Sequence, residues 1–137
     1  MKIGVIAGSF DIIHMGYVYM FKDCKHYCDK LLVFLHNDPT IERPQKLKPI
    51  HTLEERKLLL SSFRQVDGVI TYSLEADLLK LLKNTEIGVR FLGDDYKSRS
   101  FTGYELNIPI QYLSRSHGWS TTKYKQLISD SFTLSKK

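Results

Sequence analysis

His14 follows a glycine turn in the stretch GSFDIIHMGYVYMF, which runs from position 8 to 21. Gly8 lets backbone come close to a ligand, and a helix beginning after it points free N–H groups and a partial positive charge at whatever lies above. An imidazole at that helix start adds a donor for a phosphate oxygen. A second cluster, RSHGWSTTKYK at 115–125, offers the same chemistry. Arg115 carries a planar fork of donors suited to phosphate, and Ser120, Thr121 and Thr122 bring hydroxyls and N–H groups to another helix start. Either cluster alone is also an ordinary glycine turn or helix cap. Two of them in one small chain point to an anion clasped between two helix N-termini.

The elements needed to position such a site are legible. KIGVIAGSF (2–10) is apolar on both faces, as a buried parallel strand is. Further strands are predicted at 30–37, 68–72, 89–93 and 108–113. Helices are predicted from about His14 to Cys28, from Thr52 to about Phe63, over 76–84, and after Ser120 or Thr121. Thr52 and Glu55 form the sequence pattern of a capping box. Strands alternating with helices imply right-handed crossovers and an α/β fold: a single domain with a parallel five-stranded sheet flanked by helices. Ligands in such sheets bind beyond the carboxyl ends of the strands, at the switch in strand order. The loops Gly8–Tyr17, Gly93-Asp94-Asp95 and Arg115–Thr122 are therefore expected to converge. DPTIERPQKLKPI (38–50) holds three of the four prolines with Arg43, Lys46 and Lys48, and reads as a loop long enough to act as a lid. Residues 1–131 read as the domain, and a frayed tail is expected over 132–137.

Composition narrows the function. At 137 residues, one core and one site are expected. No apolar run approaches the ~20 residues of a membrane-crossing helix, and the N-terminus lacks a secretory pattern, so a cytoplasmic location with no membrane association is the default. The charge of +5 comes from Lys and Arg spread along the chain. With no basic stripe and no nucleic-acid motif, a nucleic-acid partner is not expected; a pocket for anionic phosphates explains the excess. Cys24 and Cys28 gather too few ligands for a metal site and read as reduced thiols.

Together these residues resemble the cytidylyltransferase branch of the nucleotidyltransferase superfamily, with its Rossmann-like domain. The family's G-T-F-D and H-x-G-H motifs are similar to Gly8-Ser9-Phe10-Asp11 and His14-Met15-Gly16-Tyr17. Its R-T-x-G-x-S-T-T signature is similar to Arg115-Ser116-His117-Gly118-Trp119-Ser120-Thr121-Thr122. HTLEERK (51–57), VDGVI (66–70) and LGDD (92–95) resemble further family segments. The resemblance implies transfer of CMP from CTP to a small phosphorylated, glycerol-3-phosphate-like acceptor, with release of pyrophosphate. It implies catalytic roles for His14, Lys46, Arg115 and the residue at position 17. Gly8, Ser9, Phe10, Asp11, Gly16, Lys48, Gly93, Asp94, Gly118, Ser120, Thr121 and Thr122 are implied to line the nucleotide site, with Asp94 near the cytidine. Mg2+ is implied as a companion of CTP, with no protein metal site, and a homodimer is implied by analogy.

The chain departs from the pattern at Tyr17, where the second histidine of the motif belongs. Tyrosine stays neutral, donates one O–H bond and brings no cation. Donation from that hydroxyl to phosphate is one expectation, and a slow or inactive nucleotide-binding relative is another. An adenylyltransferase of the same superfamily shares the first motif and is the third reading. His117 stands where an acid is found in the family's signature. It either returns positive charge lost at position 17 or is an ordinary exposed loop histidine. Residues 96–107 do not resemble the glycerol-phosphate enzyme.

Overall fold

The computed structural model describes residues 1–135. Its sheet has five strands, β1 (Ile3–Gly8), β2 (Lys30–His36), β3 (Gly68–Tyr72), β4 (Val89–Gly93) and β5 (Ile110–Leu113). They lie in the order β3-β2-β1-β4-β5, and every pairing is parallel. This is the α/β arrangement expected from the alternation of elements. The order reverses between β1 and β4, so the crevice where such sheets bind ligands opens beyond Gly8 and Gly93.

Four helices cover the sheet: α1 (Met15–Lys25), α2 (Leu53–Ser61), α3 (Glu75–Asn84) and α4 (Thr121–Ser135). α1 and α2 bury Phe21, Cys24 and Leu60 against Ile6, Val33, Leu35 and Phe91 on one face. α3 closes the other face, placing Leu78 and Leu82 on Val5, Phe34 and Tyr72; Leu106 and Ile108, from the connection into β5, complete that layer. α2 starts as its sequence predicts: Glu55 N donates to Thr52 Oγ1 and Thr52 N to the Glu55 carboxylate.

Several boundaries shift. His14 is the N-cap of α1, and the helix stops at Lys25, short of Cys28. The fifth strand begins at Ile110, because Pro109 offers no N–H to the ladder. The 38–50 loop contains a short 3-10 turn at Pro39–Ile41 capped by Asp38. α4 is helical through Ser135, and the rest of the tail expected at 132–137 lies outside the described residues.

Candidate active site

The two anion-binding clusters meet. Thr121, first residue of α4, donates its hydroxyl proton to the Asp11 carbonyl at 2.8 Å. The Tyr17 hydroxyl lies 2.8 Å from Thr121 Oγ1. Since the single Thr121 proton goes to Asp11, Tyr17 is the donor in that pair. Lys125 of α4 forms an ion pair with Asp11 at 2.9 Å. His14 stacks on Tyr124 with ring centroids 4.9 Å apart, and Tyr124 stacks in turn on Trp119 at 5.2 Å. Gly16 completes the seam. A Cβ there would lie 2.7 Å from His14 Cε1 and 2.9 Å from Trp119 Cβ, too close for either to stay.

His14 is oriented by its own backbone. Its Nδ1 accepts the Gly16 N–H at 3.0 Å, capping α1 and leaving the proton of the neutral ring on Nε2. That Nε2 is buried with no hydrogen-bond partner. Burial, and then the nearby charge of His117, lower the pKa of His14 below the usual imidazole value. The outcome is a neutral ring with one unused, desolvated donor. Such a group costs free energy unless a ligand accepts from it.

Tyr17 is a different kind of group. Its ring packs between Phe10 and Phe21, with centroids 5.4 and 6.3 Å away. Burial pushes its pKa up, against the opposing pull of the Thr121 bond and the Arg115 charge. Its one proton is committed to Thr121. In this arrangement the hydroxyl is held by Thr121 at the start of α4.

The loop between β1 and α1 is strained on either side of Asp11. Phe10 and Ile12 have φ of 48° and 50°, values rarely adopted outside glycine, each costing ~1–3 kcal/mol. Asp11 holds the strain in place. Its buried carboxylate accepts from Ile50 N at 2.7 Å and His51 N at 3.0 Å, as well as from Lys125. Burial by itself would raise this carboxyl, but the two N–H donors and Lys125 keep it below the ordinary carboxylate value. Asp11, expected to touch nucleotide, thus has its carboxylate engaged in tying the 38–50 loop to the β1 turn and α4. Phe10, also expected there, is a core residue with only its backbone at the turn. Gly8 ends β1 and Ser9 follows, its carbonyl held by Arg56.

At the far rim, Gly93 closes β4 against Arg115. Arg115 is half-exposed and paired with Asp95 at 3.1 Å; Arg99 takes the other oxygen of Asp95. Asp94, first residue of the 3-10 turn after β4, is partly buried beside them. Gly118, at φ 76°, turns the chain from Arg115 into α4; its N–H bonds to the Arg115 carbonyl. Ser120 caps α4 by accepting from Lys123 N at 3.1 Å, and Thr122 occupies the first turn, whose N–H groups have no intrahelical acceptors. Lys46 and Lys48 are exposed in the loop, Lys48 in a cleft that Asp38 and His51 also line. Among the described residues, no hydrogen bond or ion pair joins either ammonium to His14, Arg115 or the start of α4.

Sequence reasoning left Arg56 without a role, yet it is the buried hub of this end of the sheet. Its Nε donates to the His51 carbonyl, Nη1 to Ser9 and His36, and Nη2 to Asn37 at 2.6 Å. One side chain thereby fixes the ends of β1 and β2 and the exit of the 38–50 loop. The available signal was its place between Leu53 and Leu60 on the inward face of α2. Tyr124 and Lys125, one turn into α4, were missed for the same reason: they face the site only because α4 packs on α1.

A parallel sheet with two helix N-termini and a neutral imidazole converging at its switch point defines a nucleotide-handling Rossmann-like domain. The chain belongs to the cytidylyltransferase-like family, whose model matches residues 5–127. It is 33% identical to the glycerol-3-phosphate cytidylyltransferase of Bacillus subtilis over 129 residues, covering 94% of this chain and 98% of that protein. It is 29% identical to the FAD synthase of Thermococcus sibiricus, covering 96% of this chain and 95% of the relative. It also matches the bifunctional protein HldE of Wolinella succinogenes at 31% identity over 95% of this chain, but spans only 27% of that protein. Among solved structures, the lipopolysaccharide core biosynthesis protein of Thermoplasma volcanium superposes with a TM-score of 0.66 at 26% identity, covering 83% of this chain and 95% of the other. Nucleotidyl transfer is the activity these relatives share with the family.

Proposed function

We propose that this chain transfers CMP from CTP to a small phosphorylated acceptor of the glycerol-3-phosphate kind. The observation that carries this reading is the buried, partnerless Nε2 donor of His14, set at the start of α1 and facing no acceptor of its own. An oxygen of the acceptor phosphate attacks the α-phosphorus of CTP. The bond from that phosphorus to the bridging oxygen breaks, and the electron pair leaves with pyrophosphate. Negative charge grows on the departing group, and a donor already aimed and desolvated stabilises it without reorganising. His14 is that donor; the N-terminus of α4 and Arg115 bind the triphosphate from the opposite rim.

Mg2+ enters in this reading as the companion of CTP. The Asp11 carboxylate is already filled by Ile50, His51 and Lys125, and Asp95 by two arginines. Asp94 is then the acid of this rim suited to face the cation, which the triphosphate oxygens chiefly hold. The cation neutralises triphosphate charge when bound. The reading includes Lys46 and Lys48 swinging onto triphosphate or acceptor when the 38–50 loop moves, a homodimer in solution, and a cytoplasmic location. No helix among the described residues is long and apolar enough to cross a membrane.

A second reading, AMP transfer from ATP, is supported by the similarity to FAD synthase along nearly the whole of both chains. A third, nucleotide binding without turnover, is supported by Tyr17 and its committed proton. Pyrophosphate release with CTP and ATP in parallel, over a panel of polyol and sugar phosphates, separates all three. Release with CTP and one acceptor class is expected. Release with ATP alone moves the assignment to the second reading, and calorimetric CTP binding with no release under any pairing moves it to the third.

A further inference from the structure

His14 and His117 are built alike. Each uses Nδ1 to accept the backbone N–H two positions further on, His14 from Gly16 and His117 from Trp119, both at 3.0 Å. An accepting Nδ1 carries no proton, so each neutral ring presents an Nε2–H. His14 is the N-cap of α1, and His117 lies four positions before the first residue of α4.

The two rings share one mount. Trp119 presses on Gly16, and Tyr124 stacks on both His14 and Trp119. The ring of Tyr19, on α1, lies 6.0 Å from that of His117. Gly118, at φ 76°, lets the chain reverse between His117 and Trp119.

We propose that His117 is a second phosphate-binding imidazole, a catalytic residue that pairs with His14 on the departing pyrophosphate in place of the residue at position 17. Tyr17 lies next to His14, with ring centroids 4.3 Å apart, but its proton is spent on Thr121. His117 reaches the same phosphates from the opposite rim. The charged and titratable groups around it are His14 and Tyr19 of α1, Arg115 of its own turn, and Lys123 and Tyr124 of α4. Lys123 lies over the Trp119 ring at 5.5 Å. Among the described residues Arg115 is paired with Asp95, which leaves Lys123 as the unpaired cation of this group, and a pyrophosphate between the imidazoles accepts from both Nε2–H groups. Burial, and then the neighbouring His117, already hold the pKa of His14 down in the free protein.

The inference rests on the nucleotidyl-transfer reading, and its test separates the two. In nitrogen-15-labelled wild-type protein, titration with pyrophosphate is followed by long-range proton–nitrogen correlation of the histidine rings. Shifts of the Nε2 signals of both His14 and His117 are expected. A His117 ring that does not respond overturns the inference. His117→Asn, whose side-chain oxygen can still accept the Trp119 N–H, is expected to lower kcat about 10²-fold. Its melting temperature should stay close to wild type, since that backbone bond is kept. A kcat within about threefold of wild type at unchanged stability also overturns it. Wild-type protein that releases no pyrophosphate from any nucleotide, yet shows both rings responding, sinks the transfer reading and leaves this site standing. Turnover with a silent His117 does the reverse.

Discussion

Tyr17 and Thr121 are joined by a 2.8 Å hydrogen bond across 104 residues of chain, and the proton in it belongs to the tyrosine. The bond fastens the first turn of α1 to the first residue of α4. It makes position 17 a neutral structural clamp between the two helix starts.

Removing the clamp therefore tests what Tyr17 does. Tyr17→Phe keeps the ring among Phe10, Phe21 and His14 and deletes one hydrogen bond, so folding stability is expected to fall by about 1 kcal/mol. Urea unfolding reads that loss, and kcat should remain within about tenfold of wild type. A drop of ~10²–10³ in kcat with no change in the urea midpoint would mean that the hydroxyl serves phosphate after all.

His14 does two jobs with two nitrogens, and they can be separated. In His14→Asn the side-chain oxygen still caps α1 through the Gly16 N–H, so the helix start survives. Loss of ring packing on Tyr17 and Tyr124 costs about 1 kcal/mol. The Nε2 donor is gone, and kcat is expected to fall by ~10²–10³. Steady-state kinetics alongside thermal melts check it; an active variant would remove His14 from the chemistry.

Arg56 carries no predicted contact with substrate, yet its loss should be among the most damaging single changes. Arg56→Met strips donors from the carbonyls of Ser9, His36, Asn37 and His51, at a cost of about 3 kcal/mol or more. Arg56→Lys is expected to recover less than half of this, because a compact ammonium cannot span the four acceptors. Chemical denaturation of the three proteins gives the comparison, and a lysine variant as stable as wild type would contradict it.

The Asp11 carboxyl makes stability depend on acid. Its pKa in the folded protein lies below the ordinary 3.8, so its contribution is complete above that value and is lost as pH falls through the lower folded one. Asp11→Asn is expected to cost about 2–3 kcal/mol at neutral pH, from weakened bonds to Ile50 and His51 and an unpaired Lys125. The gap between variant and wild type at neutral pH should exceed the gap at an acid pH below the folded value, where the wild-type carboxyl is itself protonated. Urea midpoints at the two pH values measure this, and a gap that stays constant would show that the charge of Asp11 is not what holds the loop.

Much of this molecule is legible before folding because local rules act on neighbouring residues. Apolar runs on both faces marked buried parallel strands, Thr52 and Glu55 marked a helix start, and Gly8 before a helix marked an anion-binding turn. Alternation of the elements then left one architecture, and the motifs at Gly8–Tyr17 and Arg115–Thr122 pointed to one cleft at its switch point.

What residues do within that cleft depends on partners remote in sequence, and no pattern of types and spacings reports those. Asp11 read as a nucleotide contact, and its carboxylate anchors the 38–50 loop; Arg56 read as one letter of a motif and is the hub of four backbone carbonyls. Donation to phosphate was one expectation for Tyr17, whose hydroxyl bonds to Thr121 in the structure. The chain's own order of residues determined the strands, the helices and the meeting of two helix N-termini, since each follows from short-range backbone preferences and the handedness of crossovers. Only the tertiary structure decided where each proton is directed, because a hydrogen bond requires two atoms about 3 Å apart and packing alone brings them there.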